Sequence, residues 1–210
     1  MSKTPDQIGD EELLRRMLAG DGGAFAQLYQ RWQASVYRFA LRLGESEALA
    51  EDVTQDVFLT LMREGRQYAG RGTFAAYIFS ITRHRVLRRL QRERRFVALE
   101  LEADSEEGEP PALDERLIAR PDPLAELAHY ERLAAVRQAV LSLPLPYREV
   151  VLLCHLHELT YAEAAEIIGC EIGTVCSRLY RARALLAERL VALKTDEAPQ
   201  VNWQLARCLV

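Results

Sequence analysis

The chain has 210 residues, close to half of them apolar, and a formal net charge of −4. That length holds one ordinary domain or two small ones. No apolar run approaches the roughly 20 residues needed to cross a bilayer, and Met1 to Asp10 is polar rather than signal-like, so a soluble cytoplasmic protein with no membrane insertion is expected.

From Asp10 to Arg95 the pattern is helical, with no proline after Pro5. Leu49 to Met62 reads as an amphipathic helix with Leu49, Val53, Val57 and Leu61 on its core face. Its other side holds Glu51, Asp52, Gln55 and Asp56, with Leu59 and Met62 set among them. Apolar groups inside a charged face suggest a partner that covers them. After Gly70–Arg71–Gly72, Thr73 can cap a long helix running through Arg95. The first half of that helix (Phe74, Tyr77, Ile78, Phe79, Ile81) is apolar and aromatic, with Phe74 and Ile78 read as core. The second half (Arg83, His84, Arg85, Arg88, Arg89, Arg92, Arg94, Arg95) is basic. Aromatic rings beside a basic track suit a protein that holds unstacked bases while following a phosphate backbone.

The next stretch reverses the charge. Arg71 to Arg95 carries eight arginines against Glu93, whereas Phe96 to Glu126 carries ten acids against Arg116 and Arg120. Such segregation is hidden by the net figure, and a basic stripe is the electrostatic footprint of a phosphate partner. Residues 96–123, with Pro110, Pro111, Pro121, Pro123 and the acidic run Glu102 to Glu109, read as a flexible linker that cannot bury a core.

Helical patterning resumes over residues 124–194, broken at Leu143–Pro144–Leu145–Pro146. Thr160 and Glu163 form a capping box that starts a helix at Tyr161, and Gly169 supplies its left-handed C-cap. Thr174 then reads as the N-cap of a second helix, on which Val175, Leu179, Ala182, Leu186 and Leu190 form one buried stripe. Ser177, Arg178 and Arg181 lie opposite, near the N-terminus of that helix, and Ala165 permits close approach of the two helices. A capped helix, a glycine turn and a second helix presenting arginines is a helix-turn-helix arrangement. Arginine there reaches guanine edges or phosphates, and serine bonds either. In the tail, 195–210, Trp203, Ala206 and Val210 are spaced to share one helical face. No strand pattern and no solenoid-period repeat is present. The fold class expected is all-α: two small helical domains, 10–95 and 124–194, on an acidic tether.

These residues resemble a known family. Asp10–Glu–Glu–Leu–Leu followed by Gly20–Asp–Gly–Gly–Ala–Phe–Ala–Gln–Leu–Tyr29 resembles the opening of extracytoplasmic-function sigma factors, and Ala50–Glu–Asp–Val–Thr–Gln–Asp–Val–Phe58 resembles their polymerase-binding helix. Gly72–Thr–Phe–Ala–Ala–Tyr–Ile–Phe–Ser–Ile–Thr–Arg–His84 resembles their −10 element reader, and Gly173–Thr–Val–Cys–Ser–Arg–Leu–Tyr–Arg–Ala–Arg183 their −35 helix. The resemblance implies docking on core RNA polymerase through Asp52, Gln55 and Asp56, with Leu59 and Met62 nearby. It implies opening of promoter DNA near −10 by Tyr68, Arg71, Thr73, Tyr77, Arg83, His84 and Arg88, the loop from Tyr68 to Thr73 trapping an extruded base. Thr174, Ser177, Arg178 and Arg181 would read the −35 major groove, and the acidic linker would pass through the RNA exit path. An anti-sigma protein is a further candidate partner. Where the family often has tryptophan, asparagine and an acid, this chain has Tyr77, His84 and Arg88; Cys176 stands where it usually has a cation.

Three other classes compare poorly. Cys154, His155, His157 and Cys170 are near in sequence, as a metal or redox sensor would require, but no Cys-x-x-Cys pair exists and Cys154 sits in an apolar run. All four cysteines, Cys208 included, lie in the last third without a disulfide framework, so reduced thiols are expected. A regulator acting without polymerase would need neither the acidic helix nor the aromatic-basic one. No nucleophile–base pair, phosphate loop or metal-carboxylate cluster marks an enzyme. Neither a catalytic residue, a metal nor a cofactor is expected.

Overall fold

The computed structural model describes residues 8–68, 72–100 and 133–192, where every regular element is helical. The chain divides into two units, Met1–Arg95 and Phe96–Val210.

In the first unit, α1 (Asp10–Leu18) begins with Asp10, Glu11 and Glu12 and ends near Arg15 and Arg16, charges that complement the helix dipole. It buries Leu13 and Leu14, and Arg31 ties it to α2 by donating to the Asp10 carboxylate and to the Ile8 carbonyl. α2 (Gly22–Gly44) is capped by the Asp21 carboxylate, which accepts from Gly23 N at 2.9 Å and Ala24 N at 3.2 Å. α2 ends at Glu45, in the left-handed region at φ 60°. A Cβ on Gly44 would lie 2.7 Å from Leu49 Cδ2, so glycine there lets α3 (Glu47–Glu64) pack tightly under the turn.

Leu49, Val53, Val57 and Leu61 of α3 are buried as their spacing requires, and so are Ala50, Thr54 and Phe58. A single 3-10 turn, Gly65–Gln67, leads toward α4 (Phe74–Glu100). The core closes on aromatic edges: Phe39 against Phe79 at 5.2 Å and Trp32 against Phe74 at 5.5 Å. Each such pair adds about 0.5–1.5 kcal/mol beyond its burial. Helix α4 continues five residues past Arg95, so Phe96–Glu100 is helical. The physical reason is local: Phe96–Val–Ala–Leu–Glu100 contains no glycine or proline to stop a helix already under way. Residues 101–132 and the tail lie outside the described residues.

The second unit opens with α5 (133–141). After the Ser142–Leu143 turn, Pro146 sits in the first turn of α6 (Leu145–Val151), where a missing N–H costs nothing. The buried Arg148 donates from Nη2 to the Leu143 carbonyl at 3.0 Å, fixing α6 to the preceding turn. α6 widens into a π-helical turn, Leu152–Leu156, and a left-handed Glu158 (φ 54°) redirects the chain. The Thr160–Glu163 capping box starts α7 (Tyr161–Ile168), which Gly169 ends at φ 76°, ψ 46°.

Helix α8 (Ile172–Ala192) starts three residues earlier than the sequence suggests. The Glu171 carbonyl accepts from Thr174 N at 2.9 Å and Val175 N at 3.3 Å, so Thr174 is already helical and is not the N-cap. Val175, Leu179, Ala182, Leu186 and Leu190 form the buried stripe, packed on α6 and α7.

Candidate nucleic-acid interface

Three surfaces collect the residues singled out by sequence. On α3, Asp52, Gln55 and Leu59 follow one another at helical spacing, with Asp56 and Met62 beside them. Asp52 and Gln55 are exposed and Asp56 half-buried, while Leu59 and Met62 are 47% and 52% exposed. Two large apolar groups that open, flanked by carboxylates, form a mixed face suited to a protein partner with basic and apolar groups.

The carboxylates of that face are engaged from within the unit. Arg89 donates from Nη1 to Asp52 Oδ2 at 2.9 Å and from Nη2 to Asp56 Oδ2 at 3.5 Å. Arg85 donates to Thr60 Oγ1 at 2.7 Å, and the buried Thr60 hydroxyl donates to the Asp56 carbonyl at 2.7 Å. The basic half of α4 is therefore divided. Arg85 and Arg89 face α3, whereas His84, Arg88 and Arg92 are exposed at i, i+4 and i+8 on another stripe. Arg92 extends the expected set by one more turn; its spacing from His84 and Arg88 was the available signal.

Upstream on α4 lies an aromatic corner. The Tyr68 and Tyr77 rings are 5.0 Å apart and inclined by 37°, and Phe74 packs edge-on to Tyr68 at 6.4 Å. The Tyr68 hydroxyl donates to the Gly72 carbonyl at 2.9 Å, and Gly72 holds φ 75°, a conformation that favours glycine. Burial, with the Glu11 carboxylate for Tyr68 and Glu64 for Tyr77, raises both phenols above the ordinary range, so both remain protonated donors. Thr73 Oγ1 accepts from Ala76 N at 3.3 Å as the helix cap, and Arg83 is half-buried one residue before His84. Arg71 lies outside the described residues.

In the second unit, Ser177 and Arg181 are exposed and Thr174 and Arg178 half-buried on the outer side of α8. The Ser177 hydroxyl donates to the Thr174 carbonyl at 3.0 Å, leaving its lone pairs as acceptors. Tyr180, 77% exposed, stands between Ser177 and Arg181 and was not among the expected site residues. An exposed ring so large on an otherwise polar helix face is the signal that marks it, and exposure is not readable from spacing alone. From Ile172 to Ala187 this helix carries no acid, so its N-terminal half presents an unopposed basic face.

Behind that face, His155 Nε2 lies 3.2 Å from Arg183 Nη2. Burial first, and Arg183 second, lower the His155 pKa, which keeps the imidazole neutral. Burial, then the neighbouring Cys176, push the half-buried Cys154 thiol up to about 11 against the opposing pull of Arg183. Among the described residues no group of three His, Cys, Asp or Glu side chains is placed to hold a metal.

Comparison with known proteins follows the same division. Residues 28–96 match the family model for Sigma-70 region 2, and residues 133–186 that for Sigma-70, region 4. The chain is 34% identical to the ECF RNA polymerase sigma factor SigE of Mycolicibacterium smegmatis over 82% of its own length, spanning 63% of that relative. It is 30% identical to SigM of Mycobacterium tuberculosis over 89% of this chain and 87% of the relative. Among solved structures, CnrH in complex with the cytosolic domain of CnrY is similar at a TM-score of 0.62 and 26% identity, over 88% of this chain and 99% of that one. The sigma factor RpoE of Bartonella quintana, solved with the anti-sigma factor NepR, shares the fold at a TM-score of 0.65 and 24% identity, over 82% and 98% of the two chains.

Proposed function

The chain belongs to the extracytoplasmic-function family of RNA polymerase sigma factors, and on that premise we propose how its surfaces divide the work of directing RNA polymerase to promoters. The α3 face of Asp52, Gln55, Asp56, Leu59 and Met62 docks on core RNA polymerase. The aromatic corner of Tyr68 and Tyr77, with Arg71 and Thr73, receives a base extruded from the −10 element. Capture there offsets roughly a few kcal/mol of unstacking, while Arg83 and the stripe of His84, Arg88 and Arg92 follow the phosphates. In the second unit α8 lies in the −35 major groove. Arg178 and Arg181 bond guanine edges or phosphates, Ser177 accepts from a base edge, Thr174 bonds base or phosphate, and Tyr180 offers an apolar surface to a thymine methyl.

The observation that carries this reading is the pair of region matches in family order, each falling on one of the two units. The protein acts as a binding subunit in the cytoplasm, with core polymerase and promoter DNA as partners and an anti-sigma protein as the natural candidate for its control. That RpoE of the same fold was solved with an anti-sigma factor supports that last assignment. Run-off transcription with core polymerase on a promoter library tests the whole. A discrete set of promoter-dependent transcripts is expected only when the chain is added. Binding of duplex DNA without association with core polymerase would make it an independent helix-turn-helix regulator instead.

A further inference from the structure

Arg89 stands where the two proposed surfaces of the first unit meet. Its guanidinium is divided between two carboxylates instead of closing a fork on one, and the Asp56 contact, at 3.5 Å, is at the limit of a hydrogen bond. All three side chains are more than a third exposed, so water and salt compete with the pair. Arg85, one turn earlier, is held differently: its partner is the buried Thr60 of α3, whose hydroxyl is fixed by donating to the Asp56 carbonyl of the same helix. Losing the Arg89 contacts therefore leaves α4 anchored. The residues flanking Arg89 along the helix, Arg88 and Arg92, are exposed on the stripe proposed for phosphates, within the swing of a long, flexible side chain.

We propose that Arg89 is an exchangeable counter-ion between docking and DNA binding. In the free protein it neutralises part of the α3 face. When basic groups of core polymerase take over Asp52 and Asp56, Arg89 is displaced and joins Arg88 and Arg92 as a phosphate ligand. Docking thereby adds one cation to the DNA-facing helix, and Arg89 is a positioning residue for the first partner and a ligand for the second. The inference rests on the docking role proposed for α3.

The test uses the full chain and purified core RNA polymerase, titrated at low and high ionic strength. Arg89→Gln is expected to bind core about two- to fivefold more tightly at low salt, with the difference closing at high salt. Arg89→Lys, which keeps the charge, stays near wild type, and Arg89→Met, which keeps the aliphatic stem, behaves as Arg89→Gln. With the assembled complex, the salt dependence of binding to duplex DNA becomes shallower by about 0.9 in log–log slope for Arg89→Gln. The free chains show no such difference. Unchanged or weaker core binding by Arg89→Gln overturns the exchange, and an unchanged slope in the complex overturns the hand-over to DNA. Asp56→Arg separates the two levels. If it binds core as wild type does, the docking role fails; if it loses binding while Arg89→Gln changes nothing, only the exchange fails.

Discussion

Cys154 and Cys176 show how much a residue's chemistry depends on its setting. They lie on neighbouring elements, yet Cys176 is exposed on α8 while Cys154 is half-buried behind it. With its thiol pushed up to about 11, Cys154 is almost wholly protonated at neutral pH, and the thiolate is the reactive form. In a variant lacking Cys170 and Cys208, a maleimide should label Cys176 promptly at pH 7.5 and Cys154 slowly. The Cys154 rate should rise about tenfold per pH unit up to pH 10. Equal rates at pH 7.5, measured by peptide mass spectrometry, would contradict that burial. The stability consequence has a definite sign. Between the ordinary thiol value of 9.0 and about 11, the unfolded chain ionises while the folded one keeps its proton. This thiol's contribution is therefore present below pH 9 and lost as pH rises through that window, a modest effect for a half-buried group.

Among the elements, the helix pair α7–α8 separates what local sequence determines from what packing determines. The Thr160–Glu163 box, the Gly169 cap and the buried stripe from Val175 to Leu190 were all legible, because each depends on residues within a turn or on one helical period. The start of α8 was not. Glu171 is a weaker signal than Thr174, but its carbonyl is the one the returning chain reaches first. The π turn at Leu152–Leu156 has no signature in an apolar run that reads equally well as ordinary helix. Gly169 allows a clean measurement of the cap. A Cβ there meets nothing within 4 Å, so the cost of Gly169→Ala is the left-handed backbone alone, about 1–2 kcal/mol. Urea denaturation should show that loss as a lower midpoint with an unchanged slope. An unshifted midpoint would mean the turn accepts another conformation. Gly44→Ala is a different case, since Leu49 Cδ2 stands 2.7 Å from the added methyl and α3 must move.

At the scale of the whole molecule, charge segregation marks a basic track followed by an acidic stretch, but not the allocation of individual arginines. Eight arginines between Arg71 and Arg95 read as one basic track; packing turns Arg85 and Arg89 onto α3, a contact across 25 to 37 residues that no local period encodes. The same limit applies to how two weak sites act together. Each unit carries its own proposed DNA contacts, and residues 101–132 join them. Thirty-two residues reach at most about 110 Å, so on the proposed division of labour a first unit held on the polymerase would present the second to the −35 element at an effective concentration approaching millimolar, and linkage of this kind gains roughly 10²–10⁴ in avidity. The tether should then matter through its continuity. A protease site inserted between Pro110 and Pro111, cut to completion after purification, tests this. The fragment carrying α3 should still associate with core polymerase, because its docking face is intact. Promoter-dependent run-off transcription at submicromolar protein should fall about a hundredfold, recovering as the second fragment is added in large excess. Full transcription after complete cleavage would mean that the second unit is held on the polymerase by contacts of its own, and that the covalent link between the units contributes nothing to promoter choice.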